Sequence, residues 1–202
     1  MNGVLKHSPL GTSADEEPDD NDLLQEVAAG ARYALQRLMT RYVRQMLSLA
    51  ERMTGNAADA DDIVQEAFLK VWKMAPEWRI DGEARFSTWL YRVVLNSCLD
   101  RRRRGFSPSL EEVAEPADAK PGGYEAALAH QRRDIIVDAM MKLPERQRAV
   151  LSLHYFSELS ASEIAQVLGV TRSTVESLLV RGKRALRRTL TRAGITGIRD
   201  VL

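Results

Sequence analysis

Apolar residues along this 202-residue chain recur at intervals of three and four, and few stretches alternate with period two. That spacing predicts amphipathic helices packed on one another, an all-α fold. A short helix is expected from about Asp22 to Ala29, capped by Asp20 or Asn21, with Gly30 separating it from a longer one. The longer helix, about Ala31–Met53, lines up Leu35, Leu38, Met39, Tyr42, Met46 and Leu49, and Thr54-Gly55-Asn56 ends it. A third runs from about Ala58 to Met74, with Val64, Ala67, Phe68, Val71 and Trp72 inward. Asp61, Asp62, Gln65, Glu66 and Leu69 fall outside that stripe, and early acids at Asp59, Asp61 and Asp62 suit the positive end of a helix dipole. A fourth helix, about Arg85–Arg104, has a core stripe of Phe86, Leu90, Val93, Val94 and Ser97. Further helices are expected over about Tyr124–Lys142 and from Leu143-Pro144-Glu145 to about Phe156, with Pro144 at a favoured first-turn position.

The pattern changes character over Ser160–Arg188. Ile164, Ala165, Leu168 and Val170, then Val175 and Leu178, place two short apolar faces on either side of Gly169. Gly169 suits a helix end that needs positive φ, and Thr171 or Ser173 can cap the second helix. Two helices joined by so tight a turn fit a helix-turn-helix whose second helix enters the major groove. An ordinary helical hairpin has the same apolar pattern. The basic run Arg181, Lys183, Arg184, Arg187 and Arg188 favours the DNA reader.

Total charge adds little, being +1, but its distribution is informative. Acids crowd the first two dozen residues (Asp15, Glu16, Glu17, Asp19, Asp20, Asp22), whereas Arg101–Arg104 and the C-terminal fifth are basic. Residues 1–19 read as a disordered acidic N-terminus. Residues 105–123, with Pro108, Pro116 and Pro121, read as a flexible linker between small helical domains over 20–104 and 124–192, with a tail over 193–202. Extended, such a linker spans on the order of 60 Å, nearly two turns of duplex. In the fourth helix Trp89, Arg92, Asn96 and Arg101–Arg104 lie off the core stripe. Aromatic and basic groups so interleaved suit stacking on unpaired bases and pairing with phosphates, although Trp89 could equally pack inward.

Other chemistries find little support. Cys98 is the single cysteine, so no internal disulfide can form; a buried structural thiol in a reducing cytoplasm is the expected state. Three scattered histidines make no zinc pattern, and there is no glycine-rich phosphate cradle or nucleophile motif. No cofactor, small-molecule substrate, catalytic activity or membrane insertion is expected.

Three segments together resemble one family. DADDIVQEAFLKVW (Asp59–Trp72), FSTWLYRVVLNSCLDRRRR (Phe86–Arg104) and Leu143–Arg187 resemble, in order, the core-polymerase-binding, minus-ten and minus-thirty-five segments of the extracytoplasmic function sigma factors of bacterial RNA polymerase. The resemblance spans about residues 20–190. It implies that Asp61, Asp62, Gln65, Glu66 and Leu69 meet core polymerase, and that Trp89, Arg92, Asn96 and Arg101 lie near the melted minus-ten DNA. The loop Glu77–Arg85 would help to capture a flipped base. Arg172, Ser173, Thr174, Glu176, Ser177, Arg181, Lys183 and Arg184 would serve the minus-thirty-five element, with Lys183, Arg184 and Arg187 on phosphate. Glu176 departs from the family, many of whose members carry Lys or Arg there; Arg172 and Arg181 are its candidate neighbours. The implied partners are core RNA polymerase, promoter DNA and an anti-sigma factor. A conventional helix-turn-helix regulator that binds operators without polymerase would leave Asp59–Trp72 and the Trp89–Arg104 helix without a task, and a DNA-free sigma mimic would leave the basic clusters without one.

Overall fold

The computed structural model describes residues 17–79, 85–103 and 123–193. In that part of the chain lie eight α-helices: α1 Asp20–Ala28, α2 Arg32–Thr54, α3 Ala57–Met74, α4 Phe86–Arg103, α5 Gly123–Met141, α6 Glu145–Tyr155, α7 Ala161–Leu168 and α8 Arg172–Arg192. A 3-10 turn, Ala75–Glu77, adjoins the end of α3. The expected acidic N-terminus (1–16), most of the linker (104–122), the middle of the Glu77–Arg85 loop (80–84) and the last residues of the tail (194–202) lie outside the described residues.

Local chemistry sets the boundaries. Asp19 rather than Asp20 or Asn21 caps α1, in a reciprocal box with Asp22. Gly55 ends α2 at φ 78°, and Asn56 then accepts the Asp59 amide to open α3. Pro144 stands at the cap of α6, one position before its expected place, with extended ψ of 138°. Gly169 ends α7 at φ 65°, and Thr171, not Ser173, accepts the Thr174 amide to start α8.

Helices α1–α4 pack around Leu23, Leu24, Leu38, Met46, Leu49, Ile63, Phe68, Leu90 and Val94, all buried. Each fully buried Leu or Phe of this kind contributes roughly 1.5–3 kcal/mol. Met39, assigned by spacing to the core stripe of α2, is 37% exposed, while Ala34, Ala50 and Met53 are buried. Burial along so long a helix depends on which neighbours reach each turn, and periodicity does not specify that. Trp78 joins the elements at one end: its indole N–H donates to Asn21 at 3.1 Å, and its ring meets Phe86 and Trp89 edge-on. Helices α5, α6 and α8 enclose a second cluster of Met140, Leu143, Leu151, Leu186 and Leu190. Gly182 lets α8 approach α6, since a Cβ there would meet Leu151 at 3.1 Å.

Candidate polymerase and nucleic-acid interface

The faces of α3 are sharply divided. Ile63, Val64, Ala67, Phe68 and Val71 are buried, whereas Asp61, Asp62, Gln65, Glu66 and Leu69 are all exposed. At 3.6 residues per turn these five occupy an arc of about 140°. Leu69, 61% exposed, stands at the middle of that arc among carboxylates and an amide. An apolar side chain ringed by polar groups is the arrangement found where a protein surface packs on a partner.

On α4 the four expected minus-ten residues separate. Trp89, Arg92 and Asn96 lie within about 60° of one another around the helix, and Arg103 falls on the same arc. Trp89 is half-buried, stacked on Phe86 with centroids 6.1 Å apart, so part of its ring packs inward and part faces out. Asn96 and Arg103 are exposed. Arg92 is drawn to α7: its Nε donates to the Val167 carbonyl at 3.3 Å, and a terminal nitrogen donates to the Gln166 carbonyl. Arg101 turns the other way, to α3, where it pairs with Asp59 at 3.0 Å and Asp62 at 2.9 Å. Its hydrogen bond to Asp62 holds its pKa above the ordinary guanidinium value. Arg101 and Asp62, assigned from sequence to DNA and polymerase respectively, are therefore partners of each other. Arg103, part of the basic run but not singled out within it, shares the face of Arg92 and Asn96.

The helix-turn-helix is formed by α7 and α8. Ser160 and Glu163 make a capping box at the start of α7, and this hydrogen bonding, chiefly from the Ser160 side chain, holds Glu163 below the usual carboxylate range. Ile164, Val167, Val175 and Leu178 close the angle between the helices. Arg172, Ser173, Glu176, Ser177, Arg181, Lys183 and Arg184 are exposed on α8. Thr174 is half-buried and gives its amide to the Thr171 cap, so of this set it is the one most occupied with the fold. Glu176 accepts from Arg172 Nε at 2.9 Å, the i,i+4 pairing that the sequence allows, while Arg181 Nε donates to the Ser177 carbonyl at 3.2 Å. Val180, 58% exposed, lies among these polar residues and was not found by reading charge. Its signal was an apolar residue at a non-core angle of a basic helix.

Past the recognition face, Lys142, Arg181, Arg184, Arg188 and Arg192 line a cleft of about 510 Å³ between α8 and the α5–α6 turn, and no carboxylate shares that lining. Lys142 and Arg192 were missed because the cleft joins positions fifty residues apart. Such a surface attracts polyanions. Among the described residues no three His, Cys, Asp or Glu side chains are grouped to hold a metal ion. Cys98 is fully buried, and burial pushes its thiol up to about 12, so at neutral pH it is an unreactive thiol.

Two family models match: Sigma-70 region 2 over residues 38–105 and Sigma-70, region 4 over residues 133–186. The ECF RNA polymerase sigma factor SigM of Mycobacterium tuberculosis (strain ATCC 25618 / H37Rv) is 37% identical over 184 residues, covering 90% of this chain and 89% of that protein. Among solved structures, CnrH in complex with the cytosolic domain of CnrY superposes with a TM-score of 0.65 at 25% identity, covering 85% of this chain and 97% of CnrH. Sigma factor RpoE of Bartonella quintana, in complex with the anti-sigma factor NepR, shares the fold, with a TM-score of 0.59 at 18% identity over 77% of this chain and 96% of RpoE. With the two matched regions falling on α2–α4 and α5–α8, and with SigM alike along nine-tenths of its length, this chain belongs to the extracytoplasmic function sigma factors of RNA polymerase.

Proposed function

We propose that the chain binds core RNA polymerase through the exposed face of α3 and reads a promoter at two places, through α4 and through α8. The observation that carries the reading is the division of α3. Five residues that resemble the family's polymerase-binding positions are all exposed, with Leu69 at their centre, while the alternate face is sealed in the core. Asp62→Arg with Glu66→Arg should abolish capture of core polymerase in a pull-down while the circular dichroism spectrum stays unchanged. Undiminished capture by the folded variant would refute the assignment.

On α4, Trp89, Arg92, Asn96 and Arg103 form the surface for opened minus-ten DNA, the half-buried indole edge being suited to stack on an unpaired base. Arg101 acts through α3, fixing the angle between the polymerase face and the DNA face by its pairs with Asp59 and Asp62. On α8, Arg172, Ser173, Glu176, Ser177 and Arg181 reach for base edges, and Lys183 and Arg184 hold phosphates. Val180 adds an apolar contact of the kind made with a thymine methyl group. RNA synthesis belongs to the polymerase, and this chain supplies selection of the start site. Regulation by an anti-sigma factor is the expectation that family membership brings. The site of action is the cytoplasm, where polymerase and genome are; among the described residues no helix is long and apolar enough to cross a membrane.

A further inference from the structure

The second half of α8 carries more positive charge than a DNA-reading face accounts for. Arg181, Arg184, Arg188 and Arg192 lie on one stripe, within an arc of about 80° at 3.6 residues per turn. Arg172, Ser173, Glu176 and Ser177 are centred about 90° round the helix from that stripe, and Lys183 and Arg187 continue their arc rather than this one. The stripe borders the cleft against the α5–α6 turn, which contributes Lys142 to the same lining. Gly182 makes the approach possible. A Cβ there would meet Leu151 at 3.1 Å and the Gln147 Cβ at 3.4 Å, so α8 sits hard against α6 and brings the flanking arginines to the turn.

Among the described residues none of these five cations forms an ion pair, and no carboxylate lines the cleft. Arg184, Arg188 and Arg192 are like charges four residues apart, an arrangement that destabilises a helix. The helix dipole offsets this for Arg192 in the last turn, but not for Arg181 and Arg184 in mid-helix. Gln147, in the same lining, keeps a buried side-chain oxygen without a donor among the described residues. A sugar hydroxyl or a protonated phosphate oxygen supplies such a donor. Its neighbour Arg148 is fully buried and takes no part in the lining. Guanidinium forks match phosphate oxygens, and the volume of about 510 Å³ is that of a small-molecule site, typically about 300–1,000 Å³, rather than of a single phosphate. No aromatic side chain is there to stack on a base, so recognition falls on the phosphates. A duplex seated on the recognition arc meets Lys183 and Arg187 instead, which leaves the cleft to a thin, free chain.

We propose that this cleft binds a free phosphoanhydride chain, carried by a nucleoside polyphosphate or by inorganic polyphosphate, and that its occupation opposes promoter binding by engaging Arg181 and Arg184. The site stands without the reading of α8 as a DNA reader; only the effect on DNA rests on that reading.

The test titrates the full chain calorimetrically, in magnesium-free buffer at physiological salt, with sodium tripolyphosphate and with ATP. Saturable binding of one ligand per chain is expected. Arg188→Ser with Arg192→Ser should weaken it by about tenfold or more, through lost charge-assisted hydrogen bonds. Lys183→Ser with Arg187→Ser removes the same charge from the recognition arc and should leave it nearly unchanged. All four residues are exposed, so the fold is spared. Equal affinity for the two ligands marks the phosphate chain alone as the recognised group, and a preference for ATP adds its sugar; both outcomes support the site. Absence of saturable binding, or equal losses in the two double variants, would overturn it. A short duplex of random sequence is the third probe. If the Arg188 and Arg192 changes weaken duplex binding as steeply as tripolyphosphate binding, the cleft is a surface for DNA backbone and the proposal falls. Saturating tripolyphosphate should also weaken duplex binding by the parent several-fold more than by that variant; an equal effect on both would refute the opposition between ligand and DNA. Loss of duplex binding altogether, with tripolyphosphate still bound, would instead strike the reading of α8.

Discussion

On the proposed reading of α8, Glu176 puts a carboxylate on a DNA-facing surface, where the family resemblance leads one to expect Lys or Arg, and its surroundings say how it is tolerated there. Arg172 lies one turn before it and neutralises it at 2.9 Å, both side chains remaining largely exposed. Such an exposed i,i+4 pair contributes only about 0.3–0.5 kcal/mol to the helix, so DNA can break it at little cost. On that reading the freed glutamate would accept from a cytosine amine and the arginine would donate to guanine. Glu176→Ala should therefore alter which base is preferred at one promoter position, shifting discrimination there by about 1–3 kcal/mol. Binding to a panel of single-base promoter variants checks this; a uniform change across the panel would assign Glu176 to phosphate avoidance instead. Arg181→Ala tests its neighbour in the same assay: a base-specific loss marks readout, and an even loss with a shallower salt slope marks phosphate contact. Cys98 makes the opposite point about single residues. Its burial and raised pKa predict that iodoacetamide leaves the native protein unmodified and labels it fully in guanidinium.

At the scale of elements, the start of α7 depends on two side chains. Ser160→Ala removes the acceptor for the Glu163 amide and should cost about 1 kcal/mol of unfolding free energy. The carboxylate of Glu163 receives the Ser160 amide at 2.9 Å and is held below its ordinary range. A group whose folded pKa is depressed adds stability above its unfolded pKa and loses it as pH falls through the folded value. The stability gap between the parent and Glu163→Gln, measured by urea unfolding, should accordingly close as pH drops below the carboxylate range. Helix order, the Gly169 end and the capping of α8 were legible in the sequence because each rests on nearest-neighbour chemistry. So was the exposed α3 face, which period alone determines. The partners of Arg92 and Arg101 were not legible. Both are arginines on one helix, yet they point to opposite sides, one to α7 and the other to α3. Their use is decided by which helix packs alongside, a fact about separations of 39 to 75 residues that no local pattern encodes. Arg148 escaped for the same reason: a lone arginine in an amphipathic helix reads as solvent-facing until another helix covers it.

Across the whole molecule, two small helical units carry three surfaces of different chemistry. Carboxylates and Leu69 face one way on α3. Trp89, Asn96 and Arg103 share one arc of α4, and α8 carries an exposed polar face and a basic cleft. The order of these surfaces along the chain suits a protein that must seize a large enzyme and two stretches of one duplex. Arg101 joins the first two surfaces, so Arg101→Ala should weaken promoter opening as well as DNA binding, through loss of alignment. The most direct measurement of the central claim is run-off transcription by core RNA polymerase on genomic fragments, with and without this protein. Discrete transcripts that begin at defined promoters and require the protein are expected, together with their loss when Asp62 and Glu66 are both replaced by arginine. Absence of any association with core polymerase, or transcripts whose start sites are the same without the protein, would contradict the claim.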